Sequence, residues 1–511
     1  MTMFKYRVKP DTFATRANRN PLVGLAPRSV VSDAADAKND HGYILVSVLV
    51  FAAIAVTVTI GLVNWGATLL KSVRLVAERE QVLQIAEAGI DYYRWHLSHD
   101  PTDFKDGTTE PGPYAHEFKD KDGNVIGSFE LTITAPPVGS TVTTIVSKGI
   151  LASNPSISRK IKVVMAIPSL ARYATVADDN MRFGSGTLIY GPIHSNFGIH
   201  FDGITYGPMS SAMATYTDPD YGVTRWAVYT LDSPADPNPP TTLPPRTDIF
   251  TAGRQLSVPA VDFTGLTANL SQLRTLAQQG GKYFGPSQYS GNPAQGYHIT
   301  LKTDDTFDIR VVRSVRNPPS GCSNSQNQAQ WGTWSVNQQA SAQNYPIPAN
   351  GVIFVEDNIW VDGTINTARV TIAAGELPDP GPSSWSNITV NNDLRYTNHD
   401  GSDTIGLIAQ GNVNAGLYSE DDLTIDAALV AQNGRAGRYY YSSSCGATYI
   451  RVALNLYGMI ATNQRYGFAY TNGTGYQDRN ISYDPNLLYG PPPSFPLTSS
   501  YYSTLSWQEV P

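Results

Sequence analysis

The sequence predicts an α+β protein with a long N-terminal helix, a small antiparallel sheet and then a mainly-β domain. Three observations support this fold class. Residues 43–63 form a nearly unbroken apolar run, an amphipathic repeat continues to about residue 97, and short β-type segments separated by Gly, Asn and Asp fill most of the remaining chain. The 511 residues are enough for two or three folded bodies beyond the helix.

The apolar run is long enough to cross a membrane. Its roughly 21 residues, at about 1.5 Å each, match a hydrocarbon core of about 30 Å. Lys71 is the first charged residue after Gly42, and the segment before Gly42 carries more basic than acidic residues. The positive-inside tendency therefore predicts a cytoplasmic N-terminus, a single pass through the membrane and an exported C-terminal domain.

The helical pattern continues past the apolar run. Apolar residues recur at three-, four- and seven-residue steps with charged residues between them: Leu69, Val73, Val76, Leu83, Ile90, Tyr93 and Leu97. We therefore expect one helix of about 55 residues. Pro101 marks its end, because the residue before a proline is disfavoured in the helical region.

Four segments after the helix alternate in polarity or are rich in β-branched residues: 114–118, 125–134, 141–149 and 157–167. Their sheet must bury one face, and the nearest apolar stripe is the second half of the helix. Gly89 lies in that stripe, where we expect close approach of the sheet or of a neighbouring subunit. The predicted domains are a leader at 1–42, a helix-and-sheet unit at 43–168 and an exported β-rich domain at 169–511.

The β-rich domain has short strands with turns about every ten residues, which suit a β-sandwich or a right-handed β-solenoid. Residues 359–363 and 423–427 read as similar rungs, Ile-Trp-Val-Asp-Gly and Leu-Thr-Ile-Asp-Ala, so an irregular solenoid is preferred. Insertions are expected at about 213–350. They include a proline-dense stretch at 233–245, an amphipathic helix at 266–279, a hairpin at 297–312 and a polar loop at 320–343.

The N-terminal pattern resembles the class III signal of the type IV pilin superfamily. It has a polar basic leader, Gly42 before the aromatic Tyr43, an apolar helix and an amphipathic extension. Residues 86–90, Ala-Glu-Ala-Gly-Ile, resemble the segment that ends the N-terminal helix of PilX-type minor pilins. The resemblance implies cleavage between Gly42 and Tyr43 by a prepilin peptidase. It also implies assembly with other pilin or pseudopilin subunits into a cell-surface filament.

Segments of the β-rich domain resemble the exported region, of uncharacterised function, that succeeds PilX-type N-termini in some bacterial proteins. They are residues 191–196, 405–413, 427–434 and 483–488. This resemblance names no activity.

Ser47 is the fifth residue of the implied mature chain, where most pilins carry Glu. A carboxylate inside a bilayer is costly unless it is paired, and in pilins its partner is taken to be the α-amino group of the neighbouring subunit. A subunit with nothing above it lacks that partner, so Ser47 indicates a tip or initiating subunit, as in the large tip pseudopilin of type II secretion. The alternative is a tolerated small polar residue in a simple signal anchor.

The predicted function is that of a non-enzymatic minor or tip subunit of a type IV pilus or related filament, displaying a binding or structural domain. A type II secretion pseudopilin and a membrane-anchored β-solenoid carbohydrate-active enzyme are the alternatives. Tyrosines at 438–441 and 500–502 would suit adhesion to a surface or host ligand, because Tyr gives a large contact area at low entropy cost. They would equally suit packing within strands.

Composition and motifs exclude several other classes. The net charge of −7, with no basic cluster outside the leader, disfavours nucleic acid as a partner. No HExxH or Cys/His spacing occurs, so neither a metal nor a cofactor is expected. The histidines and aspartates that could be offered as a metal or acid/base site are interpreted as turn or rim residues: His194, His200, His298, Asp400, Asp403, Asp422 and Asp426.

Cys322 and Cys445 are the only cysteines of the chain. Both fall in Ser/Gly-rich stretches of the exported region, where paired cysteines are commonly oxidised, so a disulfide is predicted. Two free thiols are the alternative, because the sequence does not show that the two Cα atoms come within about 4.4–6.8 Å.

Overall fold

The structure is a computed structural model that describes residues 41–263 and 269–511. Of the predicted leader, residues 1–40 lie outside the described residues. The described residues divide into two units, one that ends at Leu75 and one that spans Val76–Pro511.

The N-terminal helix, α1 (His41–His99), has 59 residues and ends two residues before Pro101, as the sequence predicts. By length and composition its apolar part could cross a membrane, and none of that part is buried within the protein. The hydroxyl groups of Ser47, Thr57 and Thr59 each donate a hydrogen bond to the carbonyl oxygen four residues earlier. Such bonds satisfy a hydroxyl inside an apolar segment without a partner from another element.

A five-stranded antiparallel sheet begins the second unit. Its strands, in spatial order, are β1 (Tyr114–Lys119), β2 (Val125–Thr134), β3 (Thr143–Leu151), β4 (Asn154–Ala166) and β34 (Ser503–Val510). The first four were predicted, whereas β34 comes from the far end of the chain and pairs with β4. One face of the sheet packs on the second half of α1, where Val82, Ile85, Ile90, Tyr93 and Leu97 are buried.

Glycines let α1 and the sheet approach closely. A Cβ atom added at Gly149 would overlap the backbone of Val82, and one added at Gly89 would overlap the side chains of Ser147 and Phe129. Close packing against the sheet is therefore what offsets the cost of Gly89 inside the helix.

Most of the second unit consists of short strands that pair in parallel along three ladders. The first ladder contains, in spatial order, β15 (Arg254–Gln255), β11 (Met209–Ser211), β8 (Ile193–Ser195), β5 (Thr175–Ala177), β32 (Ile450–Thr462), β30 (Asp422–Ala431), β28 (Thr404–Ala409), β25 (Arg369–Ala374), β23 (Val352–Val355) and β16 (Lys282–Phe284). Strand β5 pairs with both β8 and β32, so segments about 280 residues apart in sequence are neighbours in this ladder.

The second ladder has two groups of parallel strands: β14 (Val228–Tyr229), β9 (Ile199–Phe201) and β6 (Met181–Phe183), then β31 (Ala436–Arg438), β29 (Val413–Ala415), β26 (Ile388–Thr389), β24 (Ile359–Ile365) and β19 (Gly296–Leu301). The third ladder adds β10 (Ile204–Thr205), β7 (Thr187–Tyr190), β33 (Gly475–Tyr483) and β27 (Leu394–Tyr396), and shares β32, β30 and β24 with the other two.

The inward side chains of the ladders form one large core. Alternation along β23 shows the principle: Ile353 and Val355 belong to this core, whereas Val352 and Phe354 face outward into a second apolar cluster. Because such strands are buried on both faces, their sequences are continuous apolar runs. The outer cluster is covered by helix α2 (Asn269–Gln279) and by a C-terminal segment that contributes Leu487 and Phe495.

Asparagines form a stack at one corner of the ladders. The Nδ2 atom of Asn412 donates to Oδ1 of Asn387 at 3.0 Å, and Nδ2 of Asn387 donates to Oδ1 of Asn358 at 3.3 Å. The same Oδ1 atoms accept hydrogen bonds from the backbone N–H groups of Asn412 and Asn387. The stack satisfies polar groups where the chain turns from one ladder to the next.

The second unit also contains antiparallel strands outside the three parallel ladders. These are β20 (Thr306–Val315), which pairs with β19, β21 (Val336–Gln339) and β22 (Gln343–Pro346), and the hairpins β12 (Thr215–Asp218) with β13 (Val223–Trp226) and β17 (Gln288–Tyr289) with β18 (Asn292–Pro293). Short 3-10 helices lie at Ser443–Cys445, Ala447–Tyr449 and Pro485–Leu488. The predicted hairpin at 297–312 is β19 and β20. The predicted loop at 320–343 was wrong in part, because β21 pairs there with β20.

The insertion helix starts later than the sequence indicates. Residues 264–268, including Leu266, lie outside the described residues, and α2 covers Asn269–Gln279. Leu270, Leu273 and Ala277 are buried on one face, as their spacing predicts.

Candidate functional site

The first candidate surface is the apolar part of α1. Tyr43, Phe51 and Trp65 are 83%, 72% and 66% exposed. Soluble monomers rarely expose contiguous apolar surface of more than a few hundred Å². This surface therefore requires lipid or another apolar partner.

The predicted processing and filament positions lie at the start of this surface. Gly42 and Tyr43 occupy the first turn of α1, and cleavage between them stays a prediction. The Oγ atom of Ser47 donates to the carbonyl oxygen of Tyr43 at 2.9 Å. A serine here is thus satisfied within its own helix, whereas a carboxylate would need a cationic partner from elsewhere.

The second candidate surface is an open groove of about 1180 Å³ in the second unit. It runs past the ends of several parallel strands, and its walls come from four separate parts of the chain, at 179–187, 326–330, 434–439 and 464–479. Additional lining residues, among them Tyr221 and Trp385, come from the insertions and turns. We call this feature the lateral groove.

Two buried hydroxyl groups line the lateral groove without a hydrogen-bond partner among the described residues, those of Tyr466 and Thr474. Tyr466 is 5% exposed and Thr474 is 4% exposed. Burial raises the pKa of Tyr466 to about 12, so the phenol keeps its proton near neutral pH. An unsatisfied buried polar group costs about 1–3 kcal/mol. Other buried side-chain atoms of the described residues, such as Oγ of Ser147 and Oγ1 of Thr404, also have no hydrogen-bond partner.

Three charged side chains of the lateral groove form ion pairs with one another. Both arginines near Asp220 bind its carboxylate, Arg465 at 2.6 Å and Arg182 at 2.8 Å. Hydrogen bonds from Arg465 make the largest contribution, and together with those from Arg182 they lower the pKa of Asp220 to about 2. Burial of the carboxylate opposes this shift but does not cancel it. Asp220 comes just after the short strand β12, so this triad also ties the β12–β13 hairpin to the turn at Arg465.

The three histidines considered from the sequence have separate sets of polar partners. His194 contacts the Oγ atom of Ser210 at 3.0 Å. His200 lies 2.8 Å from the carboxylate of Asp202, and His298 lies 2.8 Å from that of Asp362. No group of three or more His, Cys, Asp or Glu side chains arranged to hold a metal ion occurs in the described ranges.

The four aspartates considered as acid/base pairs bind neighbouring groups in turns and strands. Asp403 accepts hydrogen bonds from the backbone N–H groups of Ala368, Thr397 and Asn398, and Asp426 accepts one from that of Tyr396. Asp400 accepts from the N–H and hydroxyl groups of Ser402, and Asp422 accepts from the Nδ2 group of Asn455. Each of the four carboxylates therefore has a hydrogen-bond donor within the chain.

The tyrosines at 438–441 are mostly packed inside, so the adhesive interpretation of them was wrong. Tyr439 is 3% exposed and Tyr441 is fully buried beside the guanidinium of Arg438. Burial lowers the pKa of Arg438 to about 10, and its N–H groups donate to backbone carbonyl oxygens, including those of Thr448 and Tyr449. At the other site, Tyr501 is 65% exposed.

Cys322 and Cys445 are joined beside this tyrosine cluster, with their Cα atoms 4.4 Å apart. The bridge connects the polar insertion to the turn after β31. Its presence in the exported protein stays a prediction, which mass spectrometry of unreduced, thiol-blocked peptides tests.

Sequence reasoning missed the lateral groove and the buried Arg438. The groove residues are Gln, Arg, Tyr and Gly in turns, and no local motif distinguishes them from other turns of the same composition. The nearest available indication was the dense run of Tyr and Gly between residues 466 and 476.

No protein-family model matches this sequence, and no curated protein matches it. Among solved structures, the chain is similar to the competence-associated pilin ComZ from Thermus thermophilus, with a TM-score of 0.32 and 12% sequence identity. The match covers 85% of this chain and 98% of that one. A likeness this low does not establish a shared fold, so function must be inferred from the helix, sheets and groove themselves.

Proposed function

We propose that this chain is a pilin-like minor or tip subunit, anchored in the inner membrane by the first half of α1, whose exported domain displays a binding or structural surface. One observation carries the proposal. A single 59-residue helix has a bare apolar surface in its first half and an antiparallel sheet packed on its second half. A simple anchor requires the first half alone, whereas a subunit assembled through its helix needs both.

The bare apolar surface can serve membrane and filament in turn. In the bilayer its side chains contact lipid, and in a filament they contact the corresponding helices of other pilin or pseudopilin subunits. Both surroundings are apolar, so transfer between them is governed by packing rather than by the hydrophobic effect. Cleavage after Gly42 by a prepilin peptidase would precede this transfer.

Ser47 supports a place at the filament tip. The Ser47 hydroxyl donates to the carbonyl oxygen of Tyr43. Serine therefore places no charge in the bilayer and needs no cationic partner from a subunit above. An initiating subunit would have no such neighbour.

The proposed display domain is an irregular β-solenoid without enzymatic activity. Parallel pairing of successive short strands supports a solenoid over a sandwich, whose sheets are antiparallel. The aspartates that might have acted as acid/base pairs bind backbone and side-chain groups of nearby turns and strands instead. A display surface, rather than a reaction centre, is what these contacts favour.

Immunogold labelling of sheared filaments and isolated membranes, with antibody to the exported domain, tests this function. Label at filament ends is expected for a tip subunit, and label along the shaft would favour a minor subunit within it. Label confined to membranes would contradict filament assembly.

The same labelling tests the interpretation of residue 47. We expect Ser47→Glu to give no more labelled subunits per filament than the wild type, because the added carboxylate would lack a partner. Ser47→Ala is the matched control and should label as the wild type does. A large increase along the shaft for Ser47→Glu would contradict the tip assignment.

A further inference from the structure

We propose that strand β34 makes closure of the sheet on α1 conditional on a folded display domain, residues 167–502. The display domain folds first, and the sheet closes after it. The proposal rests on the proposed function, because a subunit that assembles through α1 needs the sheet packed on the second half of that helix. The observation behind it is the position of β34, which belongs to the sheet but follows the display domain in the chain.

The display domain is inserted into the five-stranded sheet. The chain leaves the sheet at Ala166, where β4 ends, and returns at Ser503, where β34 begins. The three ladders and their insertions lie between these two points. Strand β34 then pairs antiparallel with β4. Because β34 comes after the display domain, the sheet cannot be completed before the display domain has been synthesised.

The two crossings between the sheet and the display domain lie side by side. The N–H group of Thr498 donates to the carbonyl oxygen of Pro168 at 3.0 Å, and that of Leu170 donates to the carbonyl oxygen of Pro496 at 2.9 Å. The entropy cost of bringing two segments together rises with the length of chain between them. The folded display domain reduces this cost by holding its last residues beside its first, and it thereby delivers β34 to β4.

Strand β34 has little apolar burial of its own to keep it in place. None of its side chains is buried, and Trp507 is 50% exposed. Its ion pair with β4 is open to solvent: the Nε atom of Arg159 donates at 2.6 Å to the carboxylate of Glu509, whose side chain is 42% exposed. Exposed ion pairs contribute little to stability. A strand held this weakly depends on the high local concentration that the fixed crossing at Thr498 provides.

Loss of β34 would leave β4 as the edge of the sheet. Ile161, Val163 and Met165 of β4 are fully buried against α1. The backbone groups of β4 that pair with β34 would become unpaired, and a free edge of this kind pairs readily with other chains. Arg159 also links this edge to the helix, since its Nη1 atom donates to the carbonyl oxygen of Arg79 at 3.4 Å. A subunit with an unfolded display domain would therefore also lose the packing of the sheet on α1.

The test is hydrogen–deuterium exchange of the full-length protein in detergent micelles, measured by mass spectrometry. Leu429→Asp places a charge in the core of the ladders, where Leu429 is fully buried, and should unfold the display domain. We expect exchange in the sheet, residues 114–166, to rise at least about 10-fold as well, because protection follows the free energy of local opening. Val452→Asp, at a position of β32 that is 58% exposed, is the matched control and should change neither region. A sheet that stays protected while the display domain exchanges freely would overturn the proposal.

A second variant separates β34 from the other contacts between the sheet and the display domain. The double substitution Trp507→Pro and Gln508→Pro removes two consecutive N–H groups of β34, one of which points to β4 because donors alternate along an edge strand. We expect exchange at least about 10-fold faster in the sheet and in residues 82–97 of α1, with the display domain protected as in the wild type. Unchanged exchange in the sheet would show that β34 is not needed for closure. Loss of protection in the display domain would contradict the order in which that domain folds first.

Failure of this proposal can be told apart from failure of the proposed function. Filament labelling of the wild type, together with independent exchange in the sheet and the display domain, would remove the dependence and leave the pilin-like role. Coupled exchange without filament labelling would keep the dependence as a property of the fold and remove that role.

Discussion

The two halves of α1 share one continuous backbone and have opposite surroundings. In the first half, a Cβ atom added at Gly66 would meet nothing within 4 Å, whereas one added at Gly89 in the second half would overlap the sheet. Ile60 is 55% exposed and Ile85 is fully buried. The comparison shows that the second half gains its stability from packing within the chain, while the first half must obtain it from a membrane or from other chains.

Truncating one isoleucine in each half of α1 should give the largest difference between the two halves in the free energy of unfolding. Ile85→Ala removes atoms from the core between α1 and the sheet, so we expect a loss of about 2–5 kcal/mol in the free energy of unfolding. Ile60→Ala should leave that free energy nearly unchanged, because Ile60 has no packing within the protein to lose. Denaturant unfolding of the micelle-bound protein measures both, and equal effects would contradict a folded second half.

Adding one methyl group tests the close approach of α1 and the sheet. Gly149→Ala places a Cβ atom against the backbone of Val82, which cannot move aside as a side chain can, so we expect a loss of about 1–3 kcal/mol. Gly66→Ala, in open space on the helix, should be neutral or slightly favourable to helix formation. A neutral Gly149→Ala would mean that helix and sheet lie further apart than described.

The smallest expected effect is a dependence on pH where the packed half of α1 ends. Burial alone would raise the pKa of Asp103, but hydrogen bonds from the N–H groups of Lys105 and Gly107 and from His96 outweigh it and leave this pKa below its usual value. A lowered pKa contributes stability that is present above about pH 4 and is lost as the pH falls further.

Asp103→Asn should therefore reduce the midpoint of thermal unfolding at pH 7, and its difference from the wild type should shrink below about pH 4. Asp91→Asn, at a carboxylate whose side chain is 73% exposed, is the control and should cost little at either pH. A difference between Asp103→Asn and the wild type that grows on acidification would contradict this assignment.

Local patterns explain which parts of the fold could be predicted. The 3.6-residue repeat of α1 and the polarity alternation of β2 carry their own structure, because each pattern buries one face against a nearby partner. Strand β34 was not predicted, since its partner β4 lies about 340 residues earlier and no local pattern specifies so distant a pairing. The meeting of β5 with β32 has the same cause.

The candidate sites also differ in whether the sequence could predict them. The apolar surface of α1 and the position of Ser47 depend on consecutive residues and could be read directly. The lateral groove brings together Arg182, Gln328, Arg435 and Tyr466, which become neighbours through the stacking of distant strands. The burial of Tyr439 and Tyr441 also could not be foreseen, because tyrosine suits a protein surface and a core equally well.

N-terminal sequencing of the mature protein, purified from membranes of cells with an active prepilin peptidase, tests the central claim most directly. A pilin-like subunit should begin at Tyr43, so that the apolar half of α1 is kept and Ser47 is its fifth residue. An intact leader in such cells, or a mature end well beyond Val63, would contradict the pilin-like assignment.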